Sequence, residues 1–107
     1  MEKLKLKNEN VYIYKNQNAT KYKQLIKART FIYKNHKFNL QGNYEKGYFI
    51  SDNATGVLFG VVVNNLRDIH TEKVQNKLDY FLENILNTKT YNELLEEFKN
   101  CNNIIEE

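Results

Sequence analysis

The chain of 107 residues has one cysteine, no proline, no tryptophan, four glycines and no long apolar run. Cys101 has no second cysteine to pair with, so no disulfide can staple the fold. Stability must come from a packed core, and a chain of this length can bury about two-thirds of its surface. The longest apolar stretch, residues 56–63, is far short of the roughly 20 residues that cross a bilayer. The opening MEKLKLKNEN carries no apolar run of signal-peptide length. These features predict a soluble, cytoplasmic protein without membrane association, in which the sequons at Asn18 and Asn53 stay unglycosylated. With no proline, low-complexity tract or linker, the expectation is a single domain over 1–107. Within it lie a basic, strand-rich part (1–66), an acidic helical part (67–101) and a frayed tail (102–107).

Catalytic groups are equally scarce. The two histidines, His36 and His70, fall in segments of different type, and with one cysteine they form no metal-ligand spacing. Gly42, Gly47, Gly56 and Gly60 assemble neither a phosphate-binding loop nor a dinucleotide fingerprint. Cys101 follows the last strong helical position near a ragged end, a poor place to preorganise a nucleophile. Glu93, Glu96 and Glu97 read as the solvated face of a helix rather than an acid–base pair. No enzyme, metal site or cofactor is expected.

Lysine and asparagine are abundant. There are 14 Lys against 2 Arg, and 17 Asn. Lys, Asn, Tyr and Ile all have AT-rich codons, so an AT-rich genome alone could supply the net charge of +3. It does not explain where the charges fall. Residues 1–50 carry a net +8 and residues 51–107 a net −5. Glu also has an AT-rich codon, so drift should mix the signs. Segregation of this kind points to a partner.

The pattern of apolar residues predicts an α+β fold. Residues 11–14 read as a short strand. Ala19, Tyr22, Leu25 and Ile26 have helical spacing, so 19–28 offers a short N-terminal helix as the alternative to a strand. Residues 29–33 and 37–41 look extended, as one long strand or as a hairpin around Asn35-His36. Residues 48–51 and 57–63 flank Asp52-Asn53-Ala54-Thr55-Gly56, a hairpin whose Gly56 can take the left-handed conformation. The near-continuous apolar run 57–63 predicts the central strand. From Thr71, the residues Val74, Leu78, Phe81, Leu82 and Ile85 share one helical face, with Thr71 or Asp68 as cap. Thr90 and Glu93 form a capping box ahead of a second helix with Tyr91, Leu94, Leu95 and Phe98 on its stripe. The expected architecture is an antiparallel sheet of three to four strands packed on a C-terminal pair of helices.

In the basic half, cations interleave with rings. Alternation puts Phe31 and Tyr33 on one face and Ile32 and Lys34 on the other, so some rings must be core. Lys15, Lys21, Lys23, Lys27, Arg29, Lys34 and Lys37, with Tyr33 and Tyr44 as anchors, are the candidate contact residues. Tyr12, Tyr14, Tyr44 and Tyr48 are candidates for exposure. Tyrosine supplies large contact area at little entropic cost, which suits a protein interface. Rings among cations also suit single-stranded nucleic acid. Because the cations are nearly all Lys, which lacks the bidentate fork of Arg, such binding should be tolerant of sequence.

The stretch 48–60, with Asp52, Thr55 and Gly56 in an Asp-x-x-Thr-Gly hairpin, followed by the amphipathic 71–86 helix, resembles small accessory proteins of phages and mobile elements, anti-CRISPR proteins among them. That resemblance implies stoichiometric binding and inhibition of a host protein or nucleoprotein complex, such as a defence nuclease, without catalysis. The alternative is direct binding of RNA or single-stranded DNA. Oligomeric state is left open.

Overall fold

The computed structural model describes residues 4–43, 45–63, 65 and 69–105. Among these described residues, six strands and two α-helices follow in the order β1 (Lys7–Gln17), β2 (Thr20–Tyr33), β3 (His36–Asn43), β4 (Gly47–Asp52), β5 (Leu58–Val63), α1 (Glu72–Tyr80), α2 (Lys89–Lys99) and β6 (Ile104–Ile105). The class is α+β, and the C-terminal helix pair is present. The sheet is larger than the three to four strands expected. Its order is β1-β2-β3-β4-β5, antiparallel throughout, with β6 added parallel to β2.

The largest difference lies at 19–28, which is strand and not helix. Its helical spacing involves only four apolar residues. Against it, eleven residues of β2 find opposite partners on β1, from Gln17↔Thr20 to Lys7↔Thr30. A complete ladder of backbone bonds outweighs helix propensities that differ by tenths of a kcal/mol per residue. Both tight turns in this region have two residues at positive φ, Asn18 and Ala19 (52° and 63°), then Lys34 and Asn35 (47° and 66°). That handedness matches the strand twist and closes both hairpins. The second turn settles the 29–41 region as a hairpin, one residue earlier than Asn35-His36.

The 48–63 hairpin forms, with a register shift between Phe49 and Ser51. However, β5 ends the sheet order and is not central. Its apolar run reflects what packs on it, since Phe59 and Val63 reach the core. At the helices, Thr71 is the first cap residue but makes no side-chain cap bond, and Asp68 lies outside the described residues. α1 passes into a wider π turn over Phe81–Ile85, closed by Leu86 N–H to Phe81 O at 2.9 Å. α2 is capped two residues earlier than expected: Thr88 Oγ1 accepts from Tyr91 N–H at 3.1 Å. In the tail, Lys23 N–H donates to Asn103 O at 2.8 Å and seats β6 on β2.

Both helices cover one face of the sheet. That face presents Phe31, Phe38, Leu40, Tyr48, Ile50 and Val63, which close on Ile69, Val74, Leu78, Phe81 and Tyr91 from the helical half. Phe81 stacks on Phe59 at 4.7 Å and meets Phe38 and Tyr91 edge-on. Truncating a ring packed in this way to Ala costs about 3–5 kcal/mol. The sheet also curls. Its curl brings the two ends of the strand order, β1 and the β4–β5 hairpin, towards each other. It bends so that Tyr14 N–H, on the outer edge of β1, donates to Gly56 O at 3.0 Å in the distant hairpin. Gly56 is needed there twice over. Its φ is +67°, and a Cβ would lie 2.9 Å from both the Phe98 ring and Tyr14 N.

Candidate functional site

The register of β1 and β2 decides which side chains stand together. Directly opposed residues share a face, so the pairs Asn8↔Arg29, Asn10↔Lys27, Tyr12↔Leu25, Tyr14↔Lys23 and Asn16↔Lys21 line one side of the ribbon. This is the side that carries Phe31. At one end the ribbon is covered by the core, and at the other by Phe98 of α2, whose ring lies 5.7 Å from Tyr14. Between these two contacts it is open. Tyr12 is 41% exposed and Leu25 is 49% exposed. An open groove of about 540 Å³ continues from there, bordered by Asn8, Asn10, Lys27, Arg29, Leu40 and Gly42.

Eight of the nine candidate contact residues separate into three sets. Lys23, Lys27 and Arg29 stand together on this open stretch, and among the described residues none of them pairs with a carboxylate. Lys23 Nζ lies over the Phe98 ring at 4.8 Å and near Tyr12 at 6.0 Å, cation–π contacts that fix its position without neutralising it.

A second set is spent inside the molecule. Lys21 bridges to Glu97 of α2 at 2.7 Å. Lys34 bridges to Asp79 of α1 at 2.8 Å, and the Tyr33 hydroxyl donates to the same carboxylate at 2.8 Å. The Lys21 and Lys34 ammonium groups hold Glu97 and Asp79 below the usual carboxylate range. Burial and the Asp79 charge push the Tyr33 phenol up. Part of the charge segregation along the sequence is therefore neutralised internally, basic strands against acidic helices.

The third set faces the opposite side of the sheet. Lys15 reaches Gln24 Oε1 at 3.4 Å. Lys37 pairs with Glu9 at 2.9 Å, and Glu9 also accepts from the Thr30 hydroxyl. These bonds, the Thr30 one foremost, lower the Glu9 pKa. Tyr44 lies outside the described residues. Tyr48, a candidate for exposure, is a core residue at 8%.

Sequence reasoning missed Leu25, Asn8 and Asn10 as members of the open stretch. The available signal was the period-two series Asn8, Asn10, Tyr12, Tyr14 on β1. It identifies a face only once the ribbon is known to be a ribbon.

A second cluster resembles catalytic chemistry in its residue types. Asp52 is fully buried, with His36 Nε2 at 2.6 Å from Oδ1. Its Oδ2 accepts from Thr55 N–H at 3.2 Å, Thr55 Oγ1 at 2.7 Å and Tyr91 OH at 2.9 Å. Burial opposes ionisation of Asp52, but the donors from His36, Thr55 and Tyr91 outweigh it and hold the pKa below the ordinary value. Burial, then the Asp52 charge, pushes the Tyr91 phenol well up. The imidazole packs edge-on against Phe38 at 4.9 Å and close to Phe81. With both carboxylate oxygens occupied by donors of the chain itself, the cluster is a joint between β3, the β4–β5 hairpin and α2.

Among the described residues, no group of three or more His, Cys, Asp or Glu could hold a metal ion, and no helix is long and apolar enough to cross a membrane. Comparison with known protein families, with curated proteins and with solved structures finds no match to this chain.

Proposed function

We propose that the protein is a non-enzymatic binding protein that acts stoichiometrically on an acidic protein surface, through the open side of the β1–β2 ribbon. The carrying observation is the Tyr12↔Leu25 pair, both exposed and flanked on one face by the uncompensated cations Lys23, Lys27 and Arg29. A ring and an aliphatic chain set among cations make the anchor-and-rim pattern of a protein interface. Inhibition of a host protein or nucleoprotein complex in the cytoplasm is the role we assign, as the resemblance of the 48–60 hairpin to phage accessory proteins implies. Direct nucleic-acid binding has less support, because stacking needs open rings. Of the rings that β1–β3 present on this side, Tyr12 alone is open: Phe31 and Phe38 are buried, Tyr14 packs on Phe98 and Tyr33 is tied to Asp79.

The test is affinity capture from native host cells with the tagged protein and with a variant carrying Tyr12→Ala, Leu25→Ser, Lys27→Glu and Arg29→Glu. The wild type should retain a stoichiometric protein that the variant loses, with both proteins folded by circular dichroism. A partner held equally by the variant would place the interface elsewhere. Binding of single-stranded DNA or RNA that weakens log-linearly with salt would favour the nucleic-acid reading instead.

A further inference from the structure

Which side chains stand closest on the open side of the ribbon follows from where its amides point. Tyr14 N–H donates to Gly56 O and Lys23 N–H to Asn103 O, so both amides of this opposed pair turn away from the ribbon. The two-residue period gives Tyr12↔Leu25, Asn10↔Lys27 and Asn8↔Arg29 the same setting. These are the non-hydrogen-bonded pairs of the ladder, with Cα atoms about 4.5 Å apart and side chains drawn together.

The open side is therefore a row of close-set rungs about 6.6 Å apart. In order they are Tyr14 with Lys23, Tyr12 with Leu25, Asn10 with Lys27 and Asn8 with Arg29. Their character runs cation, apolar, cation, cation. Tyr12 and Leu25 are exposed, and so are Asn8, Asn10 and Lys27. Leu40 and Gly42 wall the groove beside the last two rungs.

We propose that this row seats an acidic amphipathic helix of the partner protein. The proposal rests on the ribbon-face reading above and specifies the partner's form. The ribbon's ladder bonds run between its own two strands, so its open face offers a ligand side chains only. An extended segment laid across that face would bury amides and carbonyls without partners, whereas a helix bonds its own. The spacing also fits. Residues four apart on a helix rise about 6 Å, close to one rung, so a stripe at i, i+4, i+8 and i+11 follows the row. The row from Lys23 to Arg29 is about 20 Å long, room for about 13 residues of helix. The layer on this side of the sheet is already helical: Phe98 of α2 packs on Tyr14 at one end, and α1 packs on the core that holds Phe31 at the other.

Charge selects the stripe. Lys23, Lys27 and Arg29 have no carboxylate beside them among the described residues, so acids at i, i+8 and i+11 supply one to each. Asn10 and Asn8 stand opposite the last two cations as neutral donors to the same carboxylates. An apolar residue at i+4 meets Tyr12 and Leu25.

The probe is the peptide Ala-Glu-Ala-Gln-Ala-Leu-Ala-Gln-Ala-Glu-Ala-Gln-Glu-Ala, titrated into the full chain and read by NMR. Binding should shift the Leu25, Lys27 and Arg29 amides and the Tyr12 ring, and should raise the peptide's helical circular dichroism. Proline in place of the alanine after the leucine breaks the helix and keeps the charge. It should weaken binding at least tenfold, as should Lys27→Glu with Arg29→Glu. Equal binding of the proline peptide overturns the helical ligand and leaves charge alone as the determinant. No binding of either peptide, where the ribbon variant above still loses its captured partner, overturns the helix while the interface stands. A partner kept by that ribbon variant overturns both. Self-association that the ribbon variant loses, seen by sedimentation, gives the seat to a second copy and overturns a foreign helix. Preference for oligothymidine over the peptide overturns the proposal in favour of a nucleic-acid ligand.

Discussion

The Tyr91 hydroxyl donates to Asp52 Oδ2 at 2.9 Å, joining α2 to the end of β4 across 39 residues of sequence. Hydrogen bonds to a charged group contribute about 1.5–3 kcal/mol. Tyr91→Phe keeps the ring against Phe81 and removes only this bond, so it should cost about 2 kcal/mol. Urea unfolding should show a lower midpoint with an unchanged slope.

The same carboxylate sets the acid limb of stability. The folded pKa of Asp52 is depressed by its donors, and the unfolded value is about 3.9. Its contribution is therefore fully present above that unfolded value and is lost as pH falls through the lower folded one. Thermal midpoints should fall below about pH 4, and Asp52→Asn should flatten that limb while lowering stability at neutral pH. Tyr91 acts at the other extreme. Its folded pKa lies above the free phenol's, so its contribution holds below about pH 10 and is lost as pH rises further.

Ala19 occupies the second position of the β1–β2 turn at φ 63°. A side chain in the left-handed region costs roughly 1–2 kcal/mol, part of which glycine returns as unfolded-chain entropy. Ala19→Gly should stabilise the protein by about 0.5–1 kcal/mol, seen as a rise in Tm with the fold unchanged.

Gly56→Ala should do the reverse. The methyl group would collide with Phe98 and with the amide of Tyr14, and the left-handed backbone adds strain of about 1–3 kcal/mol. Loss of the Tyr14 N–H to Gly56 O bond should show as faster exchange of the Tyr14 amide, even where the core amides stay protected.

Much of the helical half was legible because its signals are local. The stripe Val74, Leu78, Phe81 and the stripe Tyr91, Leu95, Phe98 each repeat within a few residues, and both helices bury them. The Asp52–Gly56 turn was legible for the same reason. The long ribbon was not. β1 and β2 carry mixed residues on both faces, so neither shows a clean alternation, and only their pairing with each other makes 20–28 a strand.

The candidate site divides in the same way. Charge segregation drew attention to the first half of the chain, where Lys23, Lys27 and Arg29 share one face of the ribbon. Lys21 and Lys34 could not be discounted from sequence, since their carboxylates lie 76 and 45 residues away.

By itself, then, the sequence determined the class of fold, the two helices, the 48–63 hairpin and the sign of the surface, because each follows from neighbours along the chain. The tertiary structure decided which lysines remain uncompensated and which face of the ribbon stays open. Those properties depend on register and on what packs opposite, and both are set by residues far apart in the chain.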